Sequence, residues 1–355
     1  MSAPLRIGFI GCGHIATVHS YAIAQLAKAG LIDAAITATY DTDPERAAKL
    51  ASHSGATVHD SLESLVAAVD VVWICTWTAG HLDAVEAAVG RGLAVFCEKP
   101  LAPTYADCVR VTELLERVPH QVGLVLRHAP VFAAVADIVR DGRYGPVLYA
   151  SLRDDQYFPV QGMYGSTWRK ERGLAGGGTL IEHSIHDIDV LSWILGDVRA
   201  VSATTSEHFG HLGIDDTAVV QLEYERGTRA TLASVWHQVL SRGSSRRMEV
   251  FCESAYLWTE DDYLGPLHVQ TSDDVTTVTA PLPDWAERLT VPDVYEKSVA
   301  QYAEPALAFI SGLGAASGAR GGHPSAAEAL AAHRVVEAAY RSASQGGARV
   351  DPSAL

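Results

Sequence analysis

A glutamate and a histidine in the second half of the sequence are spaced as neighbours on one face of a helix. Glu182 and His186 are four residues apart, and Asp189 and Trp193 continue the same face of a helix predicted over 179–195, because such residues are neighbours on a helix surface. Histidine changes its charge near neutral pH, so an imidazole beside a carboxylate suits removal of a proton from a hydroxyl group. The spacing predicts an acid–base site in which Glu182 either reacts or orients His186.

A lysine closes a predicted buried strand in the first half of the sequence. Lys99 follows the apolar run 94–97 and lies between Glu98 and Pro100. An ammonium group stabilises a developing alkoxide, and through like-charge repulsion it keeps a nearby imidazole neutral. The lysine and the histidine together suit oxidation of a secondary alcohol, in which a base takes the hydroxyl proton while hydride leaves carbon. A strand-end surface lysine and a buried structural His186 are the alternatives.

A glycine turn near the N-terminus predicts where the hydride acceptor binds. Gly11, Gly13 and Ala16 follow a strand predicted over 6–10 and open a helix predicted over 16–29, which is the context that makes this pattern informative. The first glycine permits a tight turn, the second lets the backbone approach a pyrophosphate, and the small alanine lets helix and strand pack closely. Helix N-termini also bind phosphates. The turn therefore predicts a dinucleotide site.

The acid at the end of the second predicted strand indicates which dinucleotide binds. Asp41 follows the strand 36–40, and a carboxylate there accepts hydrogen bonds from the ribose hydroxyls and repels a 2′-phosphate. Threonine and aspartate follow it, although Arg46 lies one helical turn further on. The sequence therefore favours NAD, with NADP as the alternative. The other residues that we assign to the cofactor site are His14, Ile15, Thr76, His81 and Glu98.

Two further segments carry a resemblance to a known family. Residues 97–100 (CEKP) close the fifth predicted strand, and residues 176–189 (GGGTLIEHSIHDID) lead into the long helix of the second half. With the glycine turn, these segments resemble the Gfo/Idh/MocA family of glucose–fructose oxidoreductase and inositol dehydrogenase, and the resemblance covers almost the whole chain. It implies a Rossmann domain followed by an α/β domain with a large, open, mostly antiparallel sheet. It also implies hydride transfer between nicotinamide C4 and a carbinol carbon of a sugar, cyclitol or related polyol.

The resemblance implies roles for individual residues. By motif position, Lys99 matches the family's active-site lysine and His186 matches its acid–base histidine. Glu98 and Pro100 match the residues that flank the lysine, and the proline commonly forms a cis bond that aims it.

The chain departs from the family pattern at three positions. Glu182 stands where aspartate is usual, Ser184 replaces glycine, and Trp77 stands where proline often follows Thr76. The longer side chain of Glu182 can change how a hydroxyl is held, so the expected substrate class is less specific than the expected chemistry.

Polar residues after predicted strands and in the loop before the glycines are candidates to contact substrate hydroxyls, with His128 and Arg169 beside them. They are Arg127, Asp154, Gln156, Trp168 and His237. We expect no metal site at Glu182, His183 and His186, because the H-E-x-x-H pattern is absent and hydride transfer needs no Lewis acid. The pair at 215–216 is interpreted as a turn rather than as two catalytic acids.

The pattern of apolar runs predicts two domains, 1–125 and 126–355. In the first, short apolar runs alternate with amphipathic segments, which predicts βαβ units and a parallel sheet. The predicted strands are 6–10, 36–40, 58, 71–75, 94–97 and 121–126, and the predicted helices are 16–29, 44–53, 61–68, 81–90 and 104–117. In the second, alternating runs at 147–153, 198–206, 217–224, 229–236, 248–252 and 255–258 predict an antiparallel sheet, with helices at 131–140, 179–195 and 326–344 and a surface loop at 311–325.

Composition excludes several classes of protein. A chain of 355 residues that is 48% hydrophobic and 19% charged suits two folded domains. A net charge of −15 argues against binding along a nucleic-acid backbone, and we expect neither a membrane span nor a secretory leader, hence a cytoplasmic protein. The five cysteines are odd in number and widely spaced, so we expect reduced, buried thiols.

Two other functions stay open at this point. The first is an enzyme that retains NAD and oxidises a sugar transiently to cleave a glycoside. The second is a non-catalytic, dinucleotide-sensing regulator, against which the presence of both Lys99 and His186 argues. An open antiparallel sheet leaves one face to be covered, so we also expect a homodimer or homotetramer.

Overall fold

The alternating segments of the first 125 residues form a six-stranded parallel sheet with the order β3-β2-β1-β4-β5-β6. The structure is a computed structural model, and it describes residues 3–314 and 322–355, apart from the side chains at 293–295 and 314. The strands are β1 (Leu5–Ile10), β2 (Ala34–Tyr40), β3 (Thr57–Val58), β4 (Val71–Ile74), β5 (Ala94–Cys97) and β6 (His120–Val122). The helices are α1 (His14–Lys28), α2 (Pro44–Ser54), α3 (Leu62–Val66), α4 (His81–Val89) and α5 (Tyr105–Leu115). This order confirms the predicted Rossmann fold.

Side-chain caps explain why α2, α3 and α5 begin at or within one residue of their predicted starts. The Asp43 carboxylate accepts a hydrogen bond from the backbone N–H of Glu45 at 3.0 Å, and Pro44 occupies the first helical turn. Ser61 caps α3 and Thr104 caps α5 in the same way. Each cap satisfies a backbone donor that has no partner inside the helix.

The last predicted strand of the unit is shorter than expected. The prediction of a strand over 121–126 is wrong beyond Val122, because a short 3-10 turn covers Val125–His128. At Gly123 the chain passes the Glu98 carboxylate so closely that a Cβ would lie 2.8 Å from Oε1. The strand therefore ends where the backbone makes room for a buried acid.

The second unit is built on an eight-stranded sheet with the order β14-β13-β12-β11-β7-β10-β9-β8. The strands are β7 (Val147–Tyr157), β8 (Val198–Ser206), β9 (Thr217–Tyr224), β10 (Arg229–His237), β11 (Ser245–Cys252), β12 (Tyr256–Thr259), β13 (Leu267–Gln270) and β14 (Val275–Val278). Strands β7 and β10 run parallel, and the other neighbouring strands are antiparallel. The helices before and between these strands are α6 (Pro130–Asp141), α7 (Arg172–Ala175), α8 (Thr179–Glu182) and α9 (Ile185–Leu195). The mostly antiparallel sheet is confirmed, and β13 and β14 add two strands that the sequence analysis missed.

The predicted continuous helix over 179–195 is wrong. It is broken at His183 and Ser184 into α8 and α9. The Ser184 hydroxyl lies 2.6 Å from the Ser234 hydroxyl and donates to Asp154 at 3.2 Å, so it is held by the sheet. Glu182 and His186 therefore belong to two separate helices.

A long helix near the C-terminus was not predicted. Helix α10 (Asp293–Gly314) contains Pro305, a residue that normally argues against a helix interior. The carbonyl of Pro305 accepts a hydrogen bond from the Gln121 side chain at 3.1 Å. The predicted loop over 311–325 therefore starts too early, and its central part, 315–321, lies outside the described residues.

The same helix explains how the chain divides. Phe309 of α10 packs in the core of the first sheet, edge-on to Trp73 with ring centroids 5.6 Å apart. Contacts group 282–330 with residues 1–125, and 331–355 with 126–281, whereas the sequence analysis placed everything after residue 125 in one domain. The final helix, α11 (Ala326–Ser344), has the predicted bounds.

Burial follows the predicted patterns. All five cysteines are buried and form no disulfide bond, as expected of thiols that pack as small hydrophobic side chains. In the second sheet, buried residues alternate with half-buried or exposed ones along β9, β10, β11 and β12. No helix among the described residues is long and apolar enough to cross a membrane.

Candidate functional site

The two glycines of the N-terminal turn have different reasons to be glycine. Gly11 has a φ of 84°, and a Cβ there would lie 2.6 Å from backbone atoms of Cys75 and Thr76. The fold itself therefore requires this glycine. Gly13 has a φ of −78°, which suits any residue, and a Cβ there would meet no protein atom within 4 Å. The fold does not require the second glycine, whose bare backbone leaves open space.

The surroundings of this open space fit a dinucleotide. Helix α1 begins directly after Gly13, with no side-chain cap, so its N-terminal end can bind a phosphate. The Asp41 carboxylate accepts hydrogen bonds from the backbone N–H groups of Cys12, at 2.6 Å, and Asp43, at 2.8 Å. The acid that the sequence assigns to the ribose is thus fastened beside the turn.

Strand register places Lys99 on the same edge of the sheet. Ile10 pairs with Ile74, and Ile74 pairs with Cys97, so the residues that follow β1, β4 and β5 leave the sheet side by side. Two strand spacings separate β1 from β5, which is about 10 Å. The lysine therefore follows the strand two positions away from the glycine turn.

The segment around Lys99 is fastened by buried hydrogen bonds. The Lys99–Pro100 peptide bond is cis, as the resemblance implies. His81, which is 1% exposed, lies with its Nδ1 2.8 Å from the Pro100 carbonyl oxygen. Thr76 donates to the carbonyl of Trp77 at 2.9 Å. This position makes His81 a support for the lysine segment and leaves its ring almost no surface for a cofactor.

A buried histidine that the sequence analysis missed holds Glu98. Nε2 of His19 lies 2.7 Å from Oε1 of Glu98, and His19 is fully buried. The other carboxylate oxygen accepts the backbone N–H of Lys99 at 3.2 Å. Burial by itself would raise the pKa of Glu98, but His19 and the Lys99 ammonium outweigh it, so the pKa lies below its usual value. The only sequence signal was the position of His19 three residues after Ala16 on the buried face of α1.

Glu182 is the last residue of α8, and His186 lies in the first turn of α9, so the two residues belong to separate helices. The Glu182 carboxylate is 2% exposed and forms an ion pair with Arg169 at 3.0 Å. The Arg169 guanidinium lies over the Trp168 ring, 4.3 Å from its centroid. The structure thus links two predicted residues, Glu182 and Trp168, through an arginine.

His186 lies in the first turn of α9 and is 8% exposed. The residue after it, Asp187, is fully buried and forms an ion pair with Arg246 at 2.8 Å. Arg246 also pairs with Asp154 at 3.2 Å and with Asp262 at 2.8 Å. Asp154, predicted to contact substrate, is itself fully buried, so it lies behind the surface that a substrate can reach.

The other predicted contact residues lie at different depths. Arg127 donates two hydrogen bonds to Asp189, at 2.8 and 2.7 Å, and so anchors α9. Gln156 is 7% exposed. His237 has a side chain 17% exposed, and its Nε2 lies 3.7 Å from an Asp155 oxygen.

Asp215, which precedes β9, has a structural role, because its carboxylate holds the segment that leads into α8. It accepts hydrogen bonds from the backbone N–H groups of Gly178 and Leu180 and from the Tyr340 hydroxyl, at 2.7 to 3.0 Å. Burial nevertheless raises its pKa to about 6. It fastens the glycine-rich lead-in to α8.

Among the described residues, no group of three or more histidine, cysteine, aspartate or glutamate side chains is placed to hold a metal ion.

Comparison with known proteins identifies the family of both units of the chain. Residues 5–125 match the oxidoreductase family with an NAD-binding Rossmann fold, and residues 132–258 match the Gfo/Idh/MocA C-terminal domain. The chain is 34% identical to inositol 2-dehydrogenase of Cereibacter sphaeroides over 236 residues, which cover 63% of this chain but only 65% of that relative. It is 30% identical to inositol 2-dehydrogenase of Rhizobium meliloti over 286 residues, 77% of this chain and 80% of the relative.

A solved structure supports the fold alone. Levoglucosan dehydrogenase in complex with NADH and levoglucosan is 22% identical, with a TM-score of 0.86 over 98% of this chain and 99% of that one. The two family matches together cover more than half of the chain. The first contains the glycine turn and the CEKP segment, and the second contains the segment 176–189. The chain belongs to the Gfo/Idh/MocA family of oxidoreductases.

Proposed function

We propose that the chain is an NAD-dependent dehydrogenase that oxidises a secondary alcohol of a cyclitol, a sugar or a related polyol. The observation that carries the proposal is the register of the first sheet, since it sets Lys99 on the edge that bears the glycine turn and Asp41. Two relatives named inositol 2-dehydrogenase support the substrate class.

The N-terminal turn and Asp41 are proposed to bind and orient the dinucleotide. When bound, NAD supplies the carbon that accepts hydride. The space over Gly13 takes the pyrophosphate, next to His14 and Ile15 at the start of α1. Asp41 accepts hydrogen bonds from the ribose hydroxyls and excludes a 2′-phosphate, so NAD is expected to bind more tightly than NADP.

Two side chains are proposed to act on one substrate hydroxyl. His186 accepts the hydroxyl proton during oxidation and returns it during reduction. The Lys99 ammonium stabilises the negative charge that develops on the oxygen, and the backbone N–H of Lys99 is held by Glu98. Glu182 orients Arg169 and, through it, the Trp168 ring, which we assign to the substrate together with Arg127.

A screen of NAD reduction tests this function. The full-length chain is mixed with NAD and, in turn, with cyclitols, aldoses, sugar acids and amino sugars, and the formation of NADH is followed by absorbance. We expect steady accumulation of NADH with at least one polyol. The variants Lys99→Met and His186→Ala should lower kcat by about 10²- to 10⁴-fold, whereas the surface controls Lys28→Met and His53→Ala should not.

The outcomes also separate the alternatives. Cleavage of a glycoside without net NADH would favour the enzyme that retains its NAD. Tight binding of NAD without turnover of any polyol or glycoside would favour a dinucleotide sensor. If Lys99→Met and His186→Ala leave turnover unchanged, our assignment of the reacting groups is wrong.

We further propose that the outward face of the second sheet binds a second copy of the chain. We define this face by Tyr149, Phe251, Tyr256, Trp258 and His268, whose rings follow one another across β7, β11, β12 and β13 with centroids 4.5 to 6.3 Å apart. Tyr149 is 36% and Phe251 is 42% exposed. Arg247 and Glu249 carry opposite charges on the same face of β11 as Phe251, which suits a self-complementary, two-fold interface. Light scattering should therefore give the mass of a dimer or tetramer, and a monomer at micromolar concentration would contradict this.

A further inference from the structure

One polar side chain interrupts the apolar face of helix α1. His19 is the sixth residue of this helix, and its side chain has no exposed surface. The other buried residues of the helix are apolar, namely Ala16, Ala22, Ile23 and Leu26. A buried polar group costs free energy unless it is hydrogen-bonded, so a histidine at this position requires a reason other than packing.

Two aromatic rings fix the orientation of the His19 imidazole. The Phe96 ring of β5 lies edge-on to it with centroids 5.2 Å apart, and the Tyr302 ring of α10 lies edge-on at 5.5 Å. Nε2 forms a hydrogen bond of 2.7 Å with Oε1 of Glu98, whereas Nδ1 has no hydrogen-bond partner among the described residues. The imidazole is therefore directed at one group, the Glu98 carboxylate.

The Glu98 carboxylate is held from three directions. Oε1 contacts His19, and Oε2 accepts the backbone N–H of Lys99 at 3.2 Å. The backbone of Gly123 passes so closely that a Cβ there would lie 2.8 to 3.0 Å from the three atoms of the carboxyl group. Burial by itself would raise the pKa of Glu98, whereas His19 and the Lys99 ammonium lower it below its usual value. The carboxylate is therefore ionised, and His19 is the donor of their hydrogen bond.

Helix α1 joins this carboxylate to the dinucleotide turn. The helix begins directly after Gly13, and His19 lies about 8 Å along the helix axis from that start. One rigid element therefore carries both the end that we assign to the pyrophosphate and the side chain that holds Glu98. The position of Lys99 relative to the cofactor depends on this contact, and a displacement of about 1 Å in a reacting group can lower the rate about a hundredfold.

We propose that His19 is a positioning residue for Lys99, which it holds in a constant position relative to the dinucleotide turn through the Glu98 carboxylate. Glu98 accepts the backbone N–H of the lysine and attracts its ammonium group. This role rests on the proposed dehydrogenase function. His19 itself contacts neither substrate nor cofactor, because its side chain has no exposed surface. It therefore acts on the reaction only through Glu98 and Lys99.

Two substitutions of similar size separate the hydrogen bond from packing. His19→Gln keeps a side-chain N–H that can donate to Glu98, whereas His19→Met fills the same space without a donor. With a polyol that the wild type oxidises, His19→Met should lower kcat about ten- to a hundredfold. His19→Gln should retain a kcat about tenfold above that of His19→Met. Calorimetric titration should give both variants the wild-type Kd for NADH, because the N-terminal end of α1 is unchanged. Equal kcat values for the two variants, or a loss of NADH affinity as large as the loss of kcat, would overturn the proposal.

A third variant displaces Glu98 without altering His19. Gly123 does not have a positive φ, and the atoms nearest to a new Cβ belong to the flexible end of the Glu98 side chain. Gly123→Ala should therefore fold while its methyl group displaces the carboxylate, and we expect the same loss of kcat as in His19→Met. The controls His53→Met, at an exposed histidine of α2, and Gly243→Ala, with nothing within 4 Å of its Cβ, should retain the wild-type kcat. A wild-type kcat in Gly123→Ala would refute the role of the carboxylate.

Chemical labelling tests the same coupling without any substrate. Lys99 is half-buried, so a small reagent can reach it, and only a deprotonated amine reacts with limiting acetic anhydride. An ammonium group that loses a neighbouring carboxylate gives up its proton more readily. In His19→Met and Gly123→Ala, mass spectrometry should therefore show acetylation of Lys99 that is about tenfold faster relative to the exposed Lys28. Unchanged relative rates in both variants would overturn the proposal. If the wild type oxidises no polyol, the proposed function fails, and the labelling still decides whether His19 acts on Lys99.

Discussion

The clearest prediction concerns Gly13, because a substitution there should weaken cofactor binding without destabilising the fold. In Gly13→Ala the new Cβ meets no protein atom within 4 Å, and the φ of −78° suits alanine. The substitution should change the free energy of unfolding by less than about 1 kcal/mol, since alanine reduces the freedom of the unfolded chain but is a poorer N-cap than glycine. The methyl group would instead occupy the space that we assign to the pyrophosphate. Loss of one charge-assisted hydrogen bond costs about 1.5–3 kcal/mol, which weakens binding about ten- to a hundredfold.

Two assays on the same preparation check this prediction. Thermal unfolding without dinucleotide should give Gly13→Ala the stability of the wild type, and calorimetric titration with NADH should give the weaker binding. Gly11→Ala is the matched contrast, because its Cβ would lie 2.6 Å from the backbone of Cys75 and should destabilise the fold itself. If Gly13→Ala binds NADH as tightly as the wild type does, the pyrophosphate does not lie over this turn.

Three further predictions rest on single contacts. In Gly178→Ala the Cβ would overlap the backbone of Asp215, so we expect the free energy of unfolding in urea to fall by more than about 3 kcal/mol. Gly173→Ala is the control, because its Cβ would have nothing within 4 Å, and it should be tolerated. Equal stabilities of the two variants would contradict the close approach. The pKa of Asp215 is raised to about 6, so the folded state binds a proton more tightly than the unfolded state, and the free energy of unfolding falls as pH rises from about 4 through 6. Asp215→Asn should lack this decrease, which amounts to about 3 kcal/mol. Parallel pH profiles for the two proteins would refute the assignment. Phe251→Glu should convert the assembly to monomers in light scattering while leaving thermal unfolding cooperative, and an unchanged mass would place the interface elsewhere.

The sequence predicted the first sheet well because its signals are local. Asp43, Ser61 and Thr104 mark the starts of three helices, and alternation of strand and helix determines a parallel sheet. Helix α10 was missed because Pro305 breaks the local pattern. Its stability comes from packing on the first unit and from the Gln121 side chain, which is distant in sequence.

The candidate site was predictable in its motifs but not in its pairs. The cofactor turn and the lysine segment follow from short patterns, whereas the partner of each charge depends on tertiary contacts. Glu182 was expected on one continuous helix with His186, whereas the helix breaks at His183 and Ser184 and the Glu182 carboxylate pairs with Arg169. The contact of His19 with Glu98 joins residues 79 positions apart, which no local pattern reveals.

Transfer of deuterium tests the central claim most directly. A polyol that carries deuterium at the oxidised carbinol carbon is incubated with the enzyme and NAD, and the products are examined by mass spectrometry and NMR. We predict one deuterium at nicotinamide C4 of each NADH formed, together with an equal amount of the carbonyl product. NADH without deuterium, or consumption of the polyol with no NADH, would contradict hydride transfer at this site.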